Sequence, residues 1–252
     1  MTSRRTSSPI PEPRSARVIH SGGTGSIPPG PPGIPRPAWL DRVADLVPAV
    51  DAHWFSRFQP PEEGGRESAV LMLFGPPPAG ADSGSEHIVL IERSHTMRTQ
   101  PAQIAFPGGS RDPGDEDSVA TALREAEEET GIDPSGVDVV DVLPSLYLPP
   151  ANFVVAPVLG WWSHPSPLSV RDAAEVHEVL SVPISHLVDP ETRFTVTHPS
   201  GFVGPAFQLD HLLLWGFTAG LVSRVLDLAG LTVEWDEARR RPLPEIYLRE
   251  RR

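Results

Sequence analysis

Three carboxylates, Glu125, Glu128 and Glu129, stand at i, i+3 and i+4 within residues 106–132, FPGGSRDPGDEDSVATALREAEEETGI. On a helix this spacing puts them on one side, where like charges repel by roughly 0.2–0.5 kcal/mol per pair even when exposed. Partial burial raises that cost. A divalent cation that prefers oxygen ligands, Mg2+ or Mn2+, reverses its sign. Arg124 lies four residues before Glu128 and can hold a carboxylate in one rotamer. Glu127 points elsewhere and is expected in solvent. The plain alternative is an acidic surface helix with an Arg–Glu pair four residues apart. The Gly-Gly turn before the helix and Gly131 after it weigh against that alternative.

The elements that must position these groups follow from the same stretch. Pro107-Gly108-Gly109 can bend sharply and lie against a ligand, because glycine has no Cβ. The spacing predicts a helix over Ser118–Thr130, capped by Asp117 or Ser118, with Val119, Ala122, Leu123 and Ala126 as its apolar face. Gly131 suits the left-handed position after the last turn. Elsewhere, Trp39, Leu40, Val43 and Leu46 keep a helical period. Residues 68–74, 87–92, 137–142 and 153–161 read as strands, with a hairpin expected between the first two. Residues 175–186 read as a strand and turn broken by Pro183, and residues 212–229 as a helix stopped by Gly230. Helices and strands without a regular βαβ repeat suggest an α/β (α+β) fold with a mixed sheet.

The segment from Arg124 to Ile132, REAEEETGI, resembles the second half of the Nudix box, G-x5-E-x7-R-E-U-x-E-E-x-G-U, with Ala126 as the small aliphatic residue. Glu116 has the right spacing to Arg124, but Gly109 to Glu116 is one residue longer than the pattern, so Asp115 is an alternative in that role. Upstream, residues 89–109, VLIERSHTMRTQPAQIAFPGG, are similar to the motif of coenzyme A pyrophosphatases, L-L-T-x-R-[SA]-x3-R-x3-G-x3-F-P-G-G. Arg93, Ser94, Arg98 and Phe106 to Gly109 match; Val89, Ile91 and Ala102 depart. If the backbone at 102 needs a positive φ, alanine is penalised there.

The resemblance implies a Nudix fold, a mixed sheet sandwiched between helices. It implies a metal-dependent pyrophosphohydrolase acting on a small nucleotide, with Arg124, Glu125, Glu128 and Glu129 as the catalytic set. Glu125, Glu128, Glu129 and the Gly109 carbonyl are the implied ligands of Mg2+ or Mn2+. Arg93, Arg98, Phe106 and Gly108 are the implied substrate side, although Phe106 can equally belong to the core. Glu128, Glu175 and Glu178 are the candidate general bases. The sharpest reading is cleavage of coenzyme A or acyl-CoA to a 4′-phosphopantetheine product and adenosine 3′,5′-bisphosphate. Its rivals are hydrolysis of ADP-ribose or another nucleoside diphosphate derivative, and a Nudix-fold protein that binds nucleotides without cleaving them. A homodimer is left open.

Composition narrows the remaining classes. Thirty-three acidic and 21 basic residues give a formal charge of −12, which disfavours nucleic-acid and anionic-membrane surfaces. The absence of cysteine excludes thiolate chemistry and disulfides. His95, His164, His177 and His186 show no ligand-like spacing, so none is expected to bind a metal. Trp161, Trp162 and Trp215 are expected in the core. Residues 1–36, rich in Pro, Ser and Gly, are expected as a disordered tail. Residues 37–235 are expected as the Nudix domain and 236–252 as a basic, solvated tail. A cytoplasmic protein is the default expectation. Replacing Glu129 by Gln is expected to remove most turnover with little loss of stability, read from hydrolysis rate beside thermal melting. Full activity would exclude that carboxylate as a metal ligand.

Overall fold

The computed structural model describes residues 33–56, 58–61, 64–78, 84–97, 99–149 and 152–248. Strands β1 (Arg66–Gly75) and β7 (Phe153–Trp162) run parallel through the middle of an eight-stranded mixed sheet. Around them lie β2 (His87–Arg93), β3 (Ile104–Ala105), β4 (Gly108–Ser110), β5 (Val137–Val142), β6 (Leu146–Leu148) and β8 (Val176–Pro183). The outer partner of β7 is split: β5 covers its second half and β6 its first. The break falls at Ala156–Pro157, where proline has no N–H to offer a ladder.

Strand alternation sorts the core into two faces. Met72, Phe74, Ile88 and Leu90 join the larger cluster with helices α1 (Ala38–Leu46), α2 (Ala52–Phe55), α4 (Ile184–Val188) and α5 (Gly216–Ala229). Leu71, Leu73 and Val89 pack on Ala122 and Ala126 of helix α3 (Ser118–Thr130). Helices therefore cover both faces of the sheet, as expected of a mixed sheet in this class. Trp161 and Trp162 are buried in these two clusters, while Trp215 is partly buried against a third.

Three expectations need correction. Residues 212–229 are not one helix: Leu212–Leu214 forms β11, paired with β10 (Val203–Leu209), and only Gly216 onward is helical. An apolar run does not distinguish strand from buried helix. The local signals were the tight Asp210-His211 turn, with Asp210 at φ 49°, and Gly216 at φ 69°. Residues 236–248 are not a solvated tail. Arg240–Pro242 is strand β12, pairing in parallel with β9 (Arg193–Thr197) in a second, four-stranded sheet. Order also begins before Pro37. The Ile34 N–H donates to the Ser163 carbonyl, and Trp161 Nε1 donates to the Ile34 carbonyl at 2.7 Å. Residues 1–32, the rest of the expected tail, lie outside the described residues. No helix among the described residues is long and apolar enough to cross a membrane.

The C-terminal segment thus packs in part. Leu243 is buried beside Phe194 and Val196, and the Arg241 guanidinium lies 4.4 Å from the centre of the Phe194 ring. Leu243→Ala is expected to cost about 2–3 kcal/mol, as buried Leu→Ala changes do, measured by urea unfolding. An unchanged midpoint would return this segment to the solvated class.

Candidate active site

Helix α3 delivers the carboxylates. Asp117 caps it, its Oδ1 accepting the Ala120 N–H at 2.9 Å, and Gly131 ends it at φ 74°. The turn before β4 approaches the helix so closely that side chains are excluded. A Cβ on Gly108 would stand 2.4 Å from the Ala69 carbonyl oxygen, and one on Gly109 would stand 2.5 Å from the Glu125 carboxyl carbon. The two glycines therefore let the backbone of β4 lie between strand β1 and the acidic side of α3.

Glu129 is buried, and its Oε2 accepts the Gly108 N–H at 2.9 Å. Burial pushes its pKa up to about 8, and the charges of Glu125 and Glu175 add to the effect; the Gly108 N–H and Arg93 act in the opposite sense. Glu125 is also raised, first by burial, with Arg124 opposing and Glu128 and Glu175 adding. Glu128 lies at the rim, its side chain 59% exposed. Three carboxylates, Glu125, Glu129 and Glu175, thus share one field, and Glu175 enters it from the loop before β8. Glu178, the other candidate from that region, lines a different cleft.

Arg124 holds this arrangement. Its five N–H groups reach both Asp115 oxygens at 3.0 Å, the Ser110 carbonyl at 3.1 Å, Glu125 Oε1 at 3.1 Å and Glu128 Oε2 at 3.0 Å. Asp115 also accepts the Asp112 N–H at 2.9 Å and the Thr121 hydroxyl at 3.0 Å. The Arg124 guanidinium holds the Asp115 carboxyl well below the usual range. Glu116 is exposed, and its backbone carbonyl accepts from Arg111 at 2.8 Å. Of the two acids left open by the extra residue, Asp115 is the one that meets Arg124. The extra residue was the signal, since it allows the loop to turn one position earlier.

The substrate-side residues divide. Arg93 is half-buried at the end of β2, with Nη2 on the Met97 sulfur at 3.0 Å; its Nε is buried and finds no hydrogen-bond partner among the described residues. Arg98 lies outside the described residues. Phe106 is 3% exposed within the larger core cluster, so its ring packs and does not line an open site. Gly108 spends its N–H on Glu129, so it positions a carboxylate. Ala102 has φ 57°, the left-handed conformation that glycine takes without strain.

One grouping was not legible from spacing. Glu92, His95 and His177 come together on the opposite face of β2 from Arg93, with each pair of potential ligand atoms within 4.8 Å. The expectation that none of the histidines binds a metal rested on sequence spacing, which does not register a juxtaposition made by the fold.

The chain is similar to known proteins of one family. The NUDIX domain family matches residues 81–201. The Nudix hydrolase NudL of Citrobacter koseri is 34% identical over 192 residues, covering 73% of this chain and 89% of that protein. The peroxisomal coenzyme A diphosphatase NUDT7 of mouse is 38% identical over 117 residues, 46% of this chain and 49% of that protein. Nudix hydrolase 22 of Arabidopsis thaliana, a chloroplastic protein, is 33% identical over 67% of this chain and 55% of its own length. The chain thus spans about half the length of the latter two relatives. Among solved structures, the Nudix hydrolase RenU from M. smegmatis aligns with TM-score 0.43 and 20% identity, over 67% of this chain and 88% of that one. This chain belongs to the Nudix hydrolase family.

Asp115→Asn is expected to lower activity by about 10–100-fold, the usual cost of removing a partner that orients site ligands. Glu116→Gln is expected to leave it near the parent value. Equal losses in steady-state assays would mean that Arg124 does not depend on Asp115.

Proposed function

We propose that the chain is a metal-dependent diphosphatase that cleaves coenzyme A or acyl-CoA to a 4′-phosphopantetheine product and adenosine 3′,5′-bisphosphate. The observation that carries the reading is the pair of carboxylates, buried Glu129 and half-buried Glu125, pressed against the Gly108–Gly109 turn within the field of Glu175. The donor set is all oxygen, which fits Mg2+ or Mn2+ and not a soft metal. Glu125, Glu129 and the backbone of Gly109 would hold the ion. When bound, it supplies charge neutralisation and polarisation of a phosphoryl oxygen.

The chain's own groups do the rest. Arg124 fixes the Glu125 carboxylate, and Arg93, whose buried Nε–H has no partner among the described residues, is the candidate to donate to a phosphate oxygen. Glu175 is the candidate to take the proton of the attacking water at a carboxylate oxygen. Glu128 is a weaker candidate, since its carboxylate is committed to Arg124. The coenzyme A reading rests further on the match at Arg93, Ser94 and residues 106–109, on the partial identity to a coenzyme A diphosphatase, and on Ala102. That residue keeps the left-handed backbone that the motif glycine favours.

Burial of Glu129 sets a sign. Its folded pKa is raised above the ordinary 4.5 to about 8, so burial costs nothing below that ordinary value and destabilises increasingly as pH rises toward about 8. Metal-free Glu129→Gln is therefore expected to melt above the metal-free parent at pH 8 and to lose the stabilisation that Mg2+ gives the parent. Melting curves at pH 5 and pH 8, with and without Mg2+, check this.

The substrate is tested by hydrolysis of coenzyme A, ADP-ribose and a nucleoside triphosphate side by side with Mg2+ or Mn2+. Adenosine 3′,5′-bisphosphate is the expected fastest product. A faster alternative substrate would reassign the specificity within the family, and stabilisation by nucleotide without cleavage would favour the binding protein. Glu175→Gln is expected to lower kcat by about 10²–10⁴ with little change in KM, the range of general-base catalysis; an unchanged kcat would move the base elsewhere.

A further inference from the structure

Behind the acidic site, on the other face of the same sheet edge, two histidines flank a buried carboxylate. Glu92 is 4% exposed, and its Oε1 lies 2.7 Å from His95 Nε2. The His95 and His177 rings are 4.3 Å apart between centres, tilted by 34°. The backbone brings them together by a bulge. Glu92 pairs with Glu178, whereas Arg93 pairs with Val176, so His177 is the extra residue of β8. His95 comes from the turn after β2, where the Ser94 N–H donates to the Glu175 carbonyl at 2.7 Å. The cluster opens on a cleft of about 440 Å³ between the two sheets, which Glu178, His211 and Tyr247 also line.

We propose that Glu92, His95 and His177 form a second metal site, selective for Zn2+ or a similar borderline transition ion and separate from the acidic site on α3. Two imidazoles and one carboxylate are a recurring zinc ligand set, with the fourth position left to water. Imidazole donors favour such ions over Mg2+. With every pair of ligand atoms within 4.8 Å, a central ion lies at most about 2.8 Å from each. Inward shifts of less than about 1 Å then reach ordinary zinc distances of ~2.0–2.2 Å. An ordinary ion pair with a stacked neighbour would account for the His95–Glu92 contact, but not for a second imidazole delivered to the same carboxylate by a bulge. The ion would tie the segment after β2 to the start of β8, the two pieces of chain that present Arg93 and Glu175 to the opposite face. This inference does not depend on the identity of the substrate.

The test is Zn2+ titration of the chelator-treated full chain in excess Mg2+, by calorimetry, together with the visible absorption of bound Co2+. The parent and Glu129→Gln are expected to bind one Zn2+ alike and to give the same Co2+ spectrum. His177→Ala and His95→Ala, both at exposed positions, are expected to weaken Zn2+ at least about tenfold, since loss of a ligand costs no less than loss of its outer partner. Their unfolding midpoints without metal serve as the folding control. Zn2+ binding that survives both histidine changes, is removed by Glu129→Gln, or is absent from the parent would overturn the proposal.

Discussion

Everything in this molecule that bears on chemistry depends on keeping two carboxylates close together and away from water. Glu125 and Glu129 lie on the inner flank of α3, where burial and mutual repulsion both oppose their charge. That arrangement persists because it is determined from three sides. Helix α3 is fastened to the sheet by Ala122 and Ala126, small enough for close approach. The Gly108–Gly109 turn brings a backbone N–H where a side chain would collide. Arg124 spends every donor it has on holding the acids and the preceding loop in place. A lysine, with three donors and no planar fork, could not satisfy both Asp115 oxygens and the others at once.

The cost is carried by the surroundings. Of the four non-glycine residues with positive φ among the described residues, two, Gln100 and Ala102, lie in the loop leading into the site. A left-handed alanine costs roughly 1–2 kcal/mol. Such strain survives only where the neighbouring chain enforces it. Here the Ala102 N–H bonds the Arg93 carbonyl and the Arg93 N–H bonds the Gln103 carbonyl, closing the loop across the end of β2.

How much of this could be read beforehand varied with the range of the interaction. Helix α3 was legible to the residue, because its caps, apolar face and acidic side are all local. The central strands were legible from their apolar runs. Asp115 was reachable but undecided, since choosing it over Glu116 requires knowing how Arg111 and Asp112 fold the loop. Phe106 could not be assigned, because a motif residue beside a glycine turn can face either way and here faces the core. The second sheet was missed although Arg193–Thr197 alternates and residues 198–201, HPSG, form a turn between strands. The Glu92–His95–His177 grouping had no sequence signal, because it arises from a bulge in strand pairing across more than eighty residues.

Strand β1 has hydrogen-bonded partners on both edges: β7 in parallel along most of its length, and β4 and β2 in turn on the other side. Its amides cannot reach solvent through fraying of an edge. They become exposed only when the sheet itself opens, so their deuterium uptake reports the global unfolding free energy. The turn after β2 is closed by a small number of backbone hydrogen bonds and is expected to open without that event. The chain is therefore expected to join a slowly exchanging central strand to a faster-exchanging loop near the same carboxylates, so that one side of the site opens without loosening the other.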